Sequence, residues 1–218
     1  MFEGRIRMRN YEDMVNNNLE YLPLQIYRNC LQYGKLTAFT DTSDDQFSYS
    51  DLAQEIARKY HALNDLNLTS GDVVVLTGPL NLSMIGTMIA SWLVRATILL
   101  LDSSLPEARQ KKILALTNPR LIISDDLRFN DSTLHMNYAQ LNSECDILDL
   151  ALINYEWRTL PAYIVFTSGS TGEPKGILGS HSGLSHFINW QREQFKFNAT
   201  DKCAQFTALG FDVIFRSI

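Results

Sequence analysis

The sequence predicts an α/β fold, a layered and mostly parallel sheet flanked by helices. Short aliphatic runs recur at Val73-Val74-Val75-Leu76-Thr77, Ala96-Thr97-Ile98-Leu99-Leu100-Leu101, Arg120-Leu121-Ile122-Ile123-Ser124 and Ala162-Tyr163-Ile164-Val165-Phe166. They lack the polar alternation of half-solvated strands, so each reads as a strand buried on both faces. Between the first three lie segments with apolar residues at spacings of three and four, the period of a helix. Strands alternating with helices at this spacing call for parallel pairing, right-handed crossovers and helices on both faces.

Taken in order, residues 51–66 form a helix with Leu52, Ile56, Ala57 and Leu63 on one side and Ser50 placed to cap its first turn. The strand at 73–77 stops at Gly78-Pro79. Leu82, Met84, Ile85, Met88, Ile89 and Leu93 mark the next helix, and Arg95 lies at the turn into the strand that follows. Residues 84–101 approach the length of a membrane span. Arg95 near the middle would cost about 2.5–3.5 kcal/mol at a bilayer centre, so a buried helix and strand is the better reading, and no membrane partner is expected. Pro106 suits a first helical position, and that helix should end before Asn118-Pro119. Residues 125–160 are polar and poorly periodic and read as a surface connection. Their acidic residues, Asp125, Asp126, Asp131, Glu144, Asp146 and Asp149, lack the spacing of a calcium loop and read as a solvated face, so no metal ligand is assigned. A last helix covers residues 182–195, with Phe187 and Trp190 three apart in its core-facing stripe.

Composition bounds the function. At 218 residues the chain is one large domain or part of something larger, and 45% hydrophobic content supplies a sizeable core and excludes a disordered tail. Nineteen Lys and Arg against 24 Asp and Glu give a net charge of −5, which provides no field for phosphate backbones and argues against a nucleic-acid partner. Cys30, Cys145 and Cys203 are far apart and odd in number, so neither a disulfide framework nor a zinc site is indicated and a reducing, cytoplasmic setting fits. No apolar stretch follows Arg5, Arg7 and Arg9, so no export signal is expected. The glycosylation-like sequons at Asn67, Asn81, Asn130 and Asn198 are accordingly read as chance matches.

The most informative stretch follows the strand at 162–166. Thr167-Ser168-Gly169-Ser170-Thr171-Gly172-Glu173-Pro174-Lys175-Gly176 packs four hydroxyls, three glycines and a lysine into ten residues. Glycine lets backbone N–H groups approach an anion closely, hydroxyls adapt to it and Lys175 neutralises it, so the loop suits phosphate. The Walker arrangement is absent, because Lys175 stands between Pro174 and Gly176. The kinase-type glycine loop fails as well, and Gly179-Ser180-His181-Ser182-Gly183 puts histidine where a nucleophile elbow needs serine. His181 opens the final helix and is expected near the phosphates, whereas His135 and His186 lack ligand-like spacing.

Residues 163–176, YIVFTSGSTGEPKG, resemble the signature phosphate loop of the adenylate-forming superfamily, which includes peptide-synthetase adenylation domains, acyl-CoA synthetases and firefly luciferase. Phe47-Ser48-Tyr49-Ser50-Asp51-Leu52 resembles that family's early Thr-Tyr-x-Glu-Leu element. Trp92-Leu93-Val94-Arg95-Ala96, continuing to Leu101-Asp102, resembles its Lys-Ala-Gly…Pro-Leu-Asp element. Phe211-Asp212 resembles the Phe-Asp-x-Ser element of amino-acid-activating members, with Val213-Ile214 in place of the usual small residue and serine.

The resemblance implies the N-terminal part of a large adenylate-forming domain over residues 47–218, preceded by an extension and first helix over residues 1–46. It implies that Thr167, Ser168, Gly169, Ser170, Thr171, Gly172 and Lys175 hold the β- and γ-phosphates of ATP with Mg²⁺, Lys175 being the catalytic cation. It also implies that Asp212 holds the α-ammonium of an amino acid, a contact worth about 1.5–3 kcal/mol as a charged hydrogen bond. The alternative for Asp212 is a helix cap or surface carboxylate, and for Arg216 an ordinary ion pair is favoured over selection of an acidic substrate. The implied reaction turns an amino acid or other small carboxylate into an acyl-AMP with release of pyrophosphate, then transfers it to the phosphopantetheine thiol of a carrier domain. Ribose-binding segments and a C-terminal subdomain bearing a second lysine are expected beyond residue 218, so the chain alone is expected to be inactive and to expose an unpaired sheet edge. The other readings are a segment of an acyl- or aryl-CoA ligase, and a non-catalytic truncated scaffold or partner-binding module.

Overall fold

The computed structural model describes residues 19–126, 133–145, 147–153, 156–168, 173–198 and 201–216. Its main sheet has six strands in the order β6-β5-β3-β4-β7-β8, where β3 is Val73–Leu76, β4 Thr97–Leu100, β5 Leu121–Ile123, β6 Leu134–Met136, β7 Pro161–Ser168 and β8 Pro174–Ser180. All neighbours are parallel except β7 and β8, which form an antiparallel hairpin at one edge. The mostly parallel α/β sheet expected from the sequence is present. A separate small hairpin joins β1 (Thr37–Thr40) to β2 (Gln46–Ser48).

Alternation along the strands divides the core in two. Val74, Leu76, Ile98, Leu100, Leu121 and Ile123 face helices α1 (Leu22–Gln32), α2 (Tyr49–Asp65) and α3 (Leu82–Leu93). Val75, Leu99 and Ile122 face α4 (Glu107–Thr117) through Ile113 and Leu114. The central strands are therefore apolar on both sides.

Local chemistry sets the helix ends. Ser48, not Ser50, caps α2: its hydroxyl accepts from the Asp51 N–H at 3.1 Å, while the Asp51 carboxylate accepts from the Ser48 N–H at 2.8 Å. The reciprocal pair satisfies two helix-end donors at once, which Ser50 could not do from inside the first turn. Asn81 caps α3 by accepting from the Met84 N–H. Arg95, as expected, makes the turn into β4 and does so with φ 68°. Asn118 ends α4 in the left-handed region just before Pro119.

Residues 125–160, β8 and α5 also differ from what the sequence pattern suggests. Residues 125–160 are more than a surface connection, because β6 pairs in parallel with β5 and Tyr138, Leu141, Leu148 and Ile153 are buried. The buried Lys59 ammonium donates to the Tyr138 carbonyl at 2.6 Å and pairs with Glu55 at 3.2 Å, tying this segment to α2. Its apolar residues are too irregularly spaced to register as a period, and Asp131 and Asp146 lie outside the described residues. Second, β8 was hidden by Pro174, Gly176 and Gly179, which read as turn residues. Third, Trp190 is not core. In α5 (His181–Phe195) the buried face is His181, Leu184 and Ser185, whereas Trp190 is 47% exposed and packs edgewise against Phe195 and at a tilt to Phe187. Among the described residues no helix is long and apolar enough to cross a membrane.

Candidate functional site

The hydroxyl- and glycine-rich stretch is the tip of the β7–β8 hairpin. Strand β7 delivers Thr167 and Ser168 at the C-terminal edge of the parallel strands, where ligands gather in open α/β sheets. Strand β8 returns antiparallel, pairing Ser168 with Pro174 and Thr167 with Lys175. Residues directly opposite in an antiparallel pair share a face, so the Thr167 hydroxyl and the Lys175 ammonium stem rise from the same side of the sheet. Alternation puts them on the side of Tyr163 and Val165, the face that packs against α1, α2 and α3. Both are exposed, and among the described residues Lys175 has no carboxylate partner. The remaining loop residues of the expected set, Gly169, Ser170, Thr171 and Gly172, lie outside the described residues, as does the Ser168 side chain.

Two contacts brace the end of the hairpin nearest the loop. On the α4 side, Lys112 forms an ion pair of 2.9 Å with Glu173, at the root of the loop. Sequence reasoning missed Lys112, and no local signal could have found it, since 61 positions separate the pair. Further along, a Cβ on Gly176 would lie 3.3 Å from the Phe166 ring, so the bare backbone lets Phe166 pack across the hairpin.

Asp212 opens a short 3-10 turn, Asp212–Arg216, and is exposed. The turn is pinned by Ile214 and Phe215, both buried. Phe215 stacks on Tyr163 with centroids 4.4 Å apart and leans on Trp92 at 6.0 Å. Because Tyr163 shares a face with Lys175, the Asp212 turn lies over the same side of the sheet as the lysine. Gly210, two residues earlier, sits beside Asp102 just past the end of β4. The Arg216 side chain is outside the described set.

His181 departs from expectation. Ser180 takes the cap position of α5, accepting from the Gly183 N–H at 3.2 Å, and this turns His181 inward. Its ring is fully buried, edge-on to Tyr21 at 4.9 Å and to Trp92 at 5.7 Å, and neither nitrogen is hydrogen bonded. Burial pushes its pKa down to about 3. It is a neutral core residue, not a phosphate ligand. Among the described residues no group of three or more His, Cys, Asp or Glu could hold a metal ion, so these residues offer no protein cage for Mg²⁺.

A hydroxyl and an ammonium stand together at this edge of the sheet, and an exposed carboxylate stands over the same face. Residues 26–217 match the family model described as AMP-binding enzyme. The chain belongs to the AMP-binding enzyme family. This AMP-binding chain is 30% identical over 182 residues to the hybrid PKS-NRPS synthetase TAS1 of Pyricularia oryzae, covering 78% of the chain and 10% of that protein. It is 28% identical over 182 residues to enterobactin synthase component F of Escherichia coli O157:H7, covering 77% of the chain and 13% of that protein. The chain thus spans about a tenth of the length of these curated relatives. Among solved structures it resembles the AMPPNP-bound form of the nonribosomal peptide synthetase FmoA3, with TM-score 0.80 and 17% identity over 92% of the chain and 21% of that protein. It also resembles the Klebsiella oxytoca NpsA N-terminal subdomain in complex with 3-hydroxyanthranilyl-AMSN, with TM-score 0.76 and 21% identity over 91% of the chain and 51% of that structure. At these identities the structural likeness is one of fold. The curated relatives the chain matches include synthetases of peptides and hybrid products.

Proposed function

We propose that the full-length protein carrying this AMP-binding chain activates an amino acid as its aminoacyl adenylate. A carboxylate oxygen of the amino acid attacks the α-phosphorus of ATP. The bond from that phosphorus to its β-bridging oxygen breaks, and pyrophosphate leaves with the electron pair. A phosphopantetheine thiol on a carrier domain then takes the acyl group, losing its proton as AMP departs. Division of the chain into an N-terminal extension with the first helix at 1–46 and a partial AMP-binding domain at 47–218 belongs to this reading. So does a cytoplasmic setting, which suits the free exposed thiols of Cys145 and Cys203.

The observation that carries the reading is the register of the β7–β8 hairpin, which sets Lys175 across from Thr167 at the rim of the loop. From there Lys175 neutralises the outer phosphates as charge builds on the leaving pyrophosphate, and the Thr167 hydroxyl donates to a phosphate oxygen. Ser168, Gly169, Ser170, Thr171 and Gly172 complete the cradle. Mg²⁺ supplies further charge neutralisation when it arrives with the triphosphate. Asp212, over the same face, accepts from the substrate ammonium and so orients the carboxylate toward the α-phosphorus.

Among the described residues this reading assigns no partner to the base or the ribose, and in this account the 218-residue chain alone has no adenylating activity. The test is amino-acid-dependent ATP–pyrophosphate exchange by the full-length protein, scanned over amino acids and their des-amino analogues. Exchange driven by one or a few amino acids supports the proposal. Exchange driven only by acids lacking an amine would replace it with an acyl- or aryl-CoA ligase, and no exchange with any carboxylate would replace it with a non-catalytic scaffold.

A further inference from the structure

The side chain that Gly179 lacks is as informative as those present around Asp212. Tyr163 and Gly179 are direct partners across the β7–β8 ladder. A Cβ built on Gly179 would press into the face of the Tyr163 ring, meeting three of its atoms well inside ordinary contact distance. The ring therefore lies flat on bare backbone. Phe215 stacks against the ring at 4.4 Å with an interplanar angle of 26°. Phe215 is itself closed in by Trp92, whose indole N–H donates to the Ala162 carbonyl at 2.7 Å and so ties the far wall to β7.

We infer that Gly179 and Tyr163 are positioning residues for Asp212: the glycine lets the tyrosine lie flat, and the flat ring is the platform that seats the Asp212 turn through Phe215. The inference rests on the reading of Asp212 as the ammonium-holding carboxylate. The lever is short. One 3-10 turn is three residues with a rise of about 2 Å each, so the exposed carboxylate stands roughly 6 Å along the turn from its buried anchor. Upstream, Phe211 is 62% exposed, so the clamped end of this turn is the Phe215 end. A ring tipped up by a new Cβ has Phe215 in its path, and Phe215 has Trp92 behind it. The displacement is passed to the turn.

The experiment uses the full-length protein and pyrophosphate exchange with the amino acid that drives it best, beside the des-amino analogue of that acid. Gly179→Ala is expected to raise KM for the amino acid at least tenfold, leave KM for ATP within twofold, and leave exchange with the des-amino acid unchanged. In an Asp212→Ala background the same substitution should add nothing. Phe215→Leu, which keeps an apolar anchor but removes the stack, should show the same amine-selective loss and replaces Gly179→Ala if that variant does not fold. A rise in KM that is equal for amino acid and des-amino acid, or no rise at all, overturns the inference while Asp212→Ala remains amine-selective. If Asp212→Ala is not amine-selective, the reading of Asp212 itself is what fails.

Discussion

Thr167 and Lys175 face one another in register across the β7–β8 ladder, so a hydroxyl and an ammonium eight residues apart in sequence act from one side of the sheet. Lys175→Ala in the full-length protein is expected to lower ATP–pyrophosphate exchange about 100-fold, the usual effect of removing one preorganised charge-stabilising donor. Thr167→Ala removes a single hydrogen bond to a charged oxygen and is expected to cost about 10-fold. Steady-state exchange rates at saturating amino acid check both, and activity within twofold of the parent would remove either residue from the site.

The Lys112–Glu173 pair gives a contrasting expectation. Both side chains are well exposed, and such pairs contribute at most about 1 kcal/mol once solvent screening is counted. Lys112→Ala should therefore leave the unfolding midpoint unchanged and raise KM for ATP no more than about fivefold, with the difference shrinking as salt is added. An effect that persists at high salt would mean that Lys112 touches the nucleotide directly.

His181 makes acid stability testable. Its unfolded imidazole takes a proton near the ordinary value of 6.5, whereas the buried ring does so only at about 3. Between those values the unfolded state binds the extra proton. The contribution of His181 is thus full above pH 6.5 and is lost as pH falls toward 3, with a limiting slope of about 1.4 kcal/mol per pH unit. Urea midpoints from pH 7 to pH 4 should fall less steeply for His181→Leu than for the parent. Equal slopes would show that the imidazole reaches water.

At the start of α2, Ser48→Ala removes the hydroxyl that caps the Asp51 N–H and is expected to cost about 1 kcal/mol by chemical denaturation. Hydrogen bonds from Ser48 hold the Asp51 carboxyl below its ordinary value. The stability it lends is therefore complete above the ordinary carboxylate range and disappears as the folded carboxyl protonates in acid. Ser50→Ala, by contrast, should be close to neutral.

What the sequence made legible follows the strength of local signals. The strands β3, β4, β5 and β7 are legible because a strand buried on both faces is apolar at every position, and the end of β7 is legible because the run of hydroxyls and glycines breaks that apolar pattern. Strand β8 is not, since its glycines serve packing partners, Phe166 and Tyr163, that only the paired hairpin brings near. The burial of His181 is illegible for the same reason: its neighbours Tyr21 and Trp92 lie 160 and 89 residues away in sequence. The three-residue spacing of Phe187 and Trp190 suggests a core stripe, while the helix turns another face inward. The Asp212 turn was visible as two residues, and its anchoring through Phe215 only as tertiary structure.

The central claim is that the β7–β8 hairpin tip grips the outer phosphates of ATP, and the most direct measurement compares ATP with AMP. Equilibrium binding of each nucleotide to the full-length protein and to its Lys175→Ala variant is expected to show ATP affinity reduced at least tenfold, with AMP affinity within twofold of the parent. Equal losses for the two nucleotides, or none for either, would contradict the account.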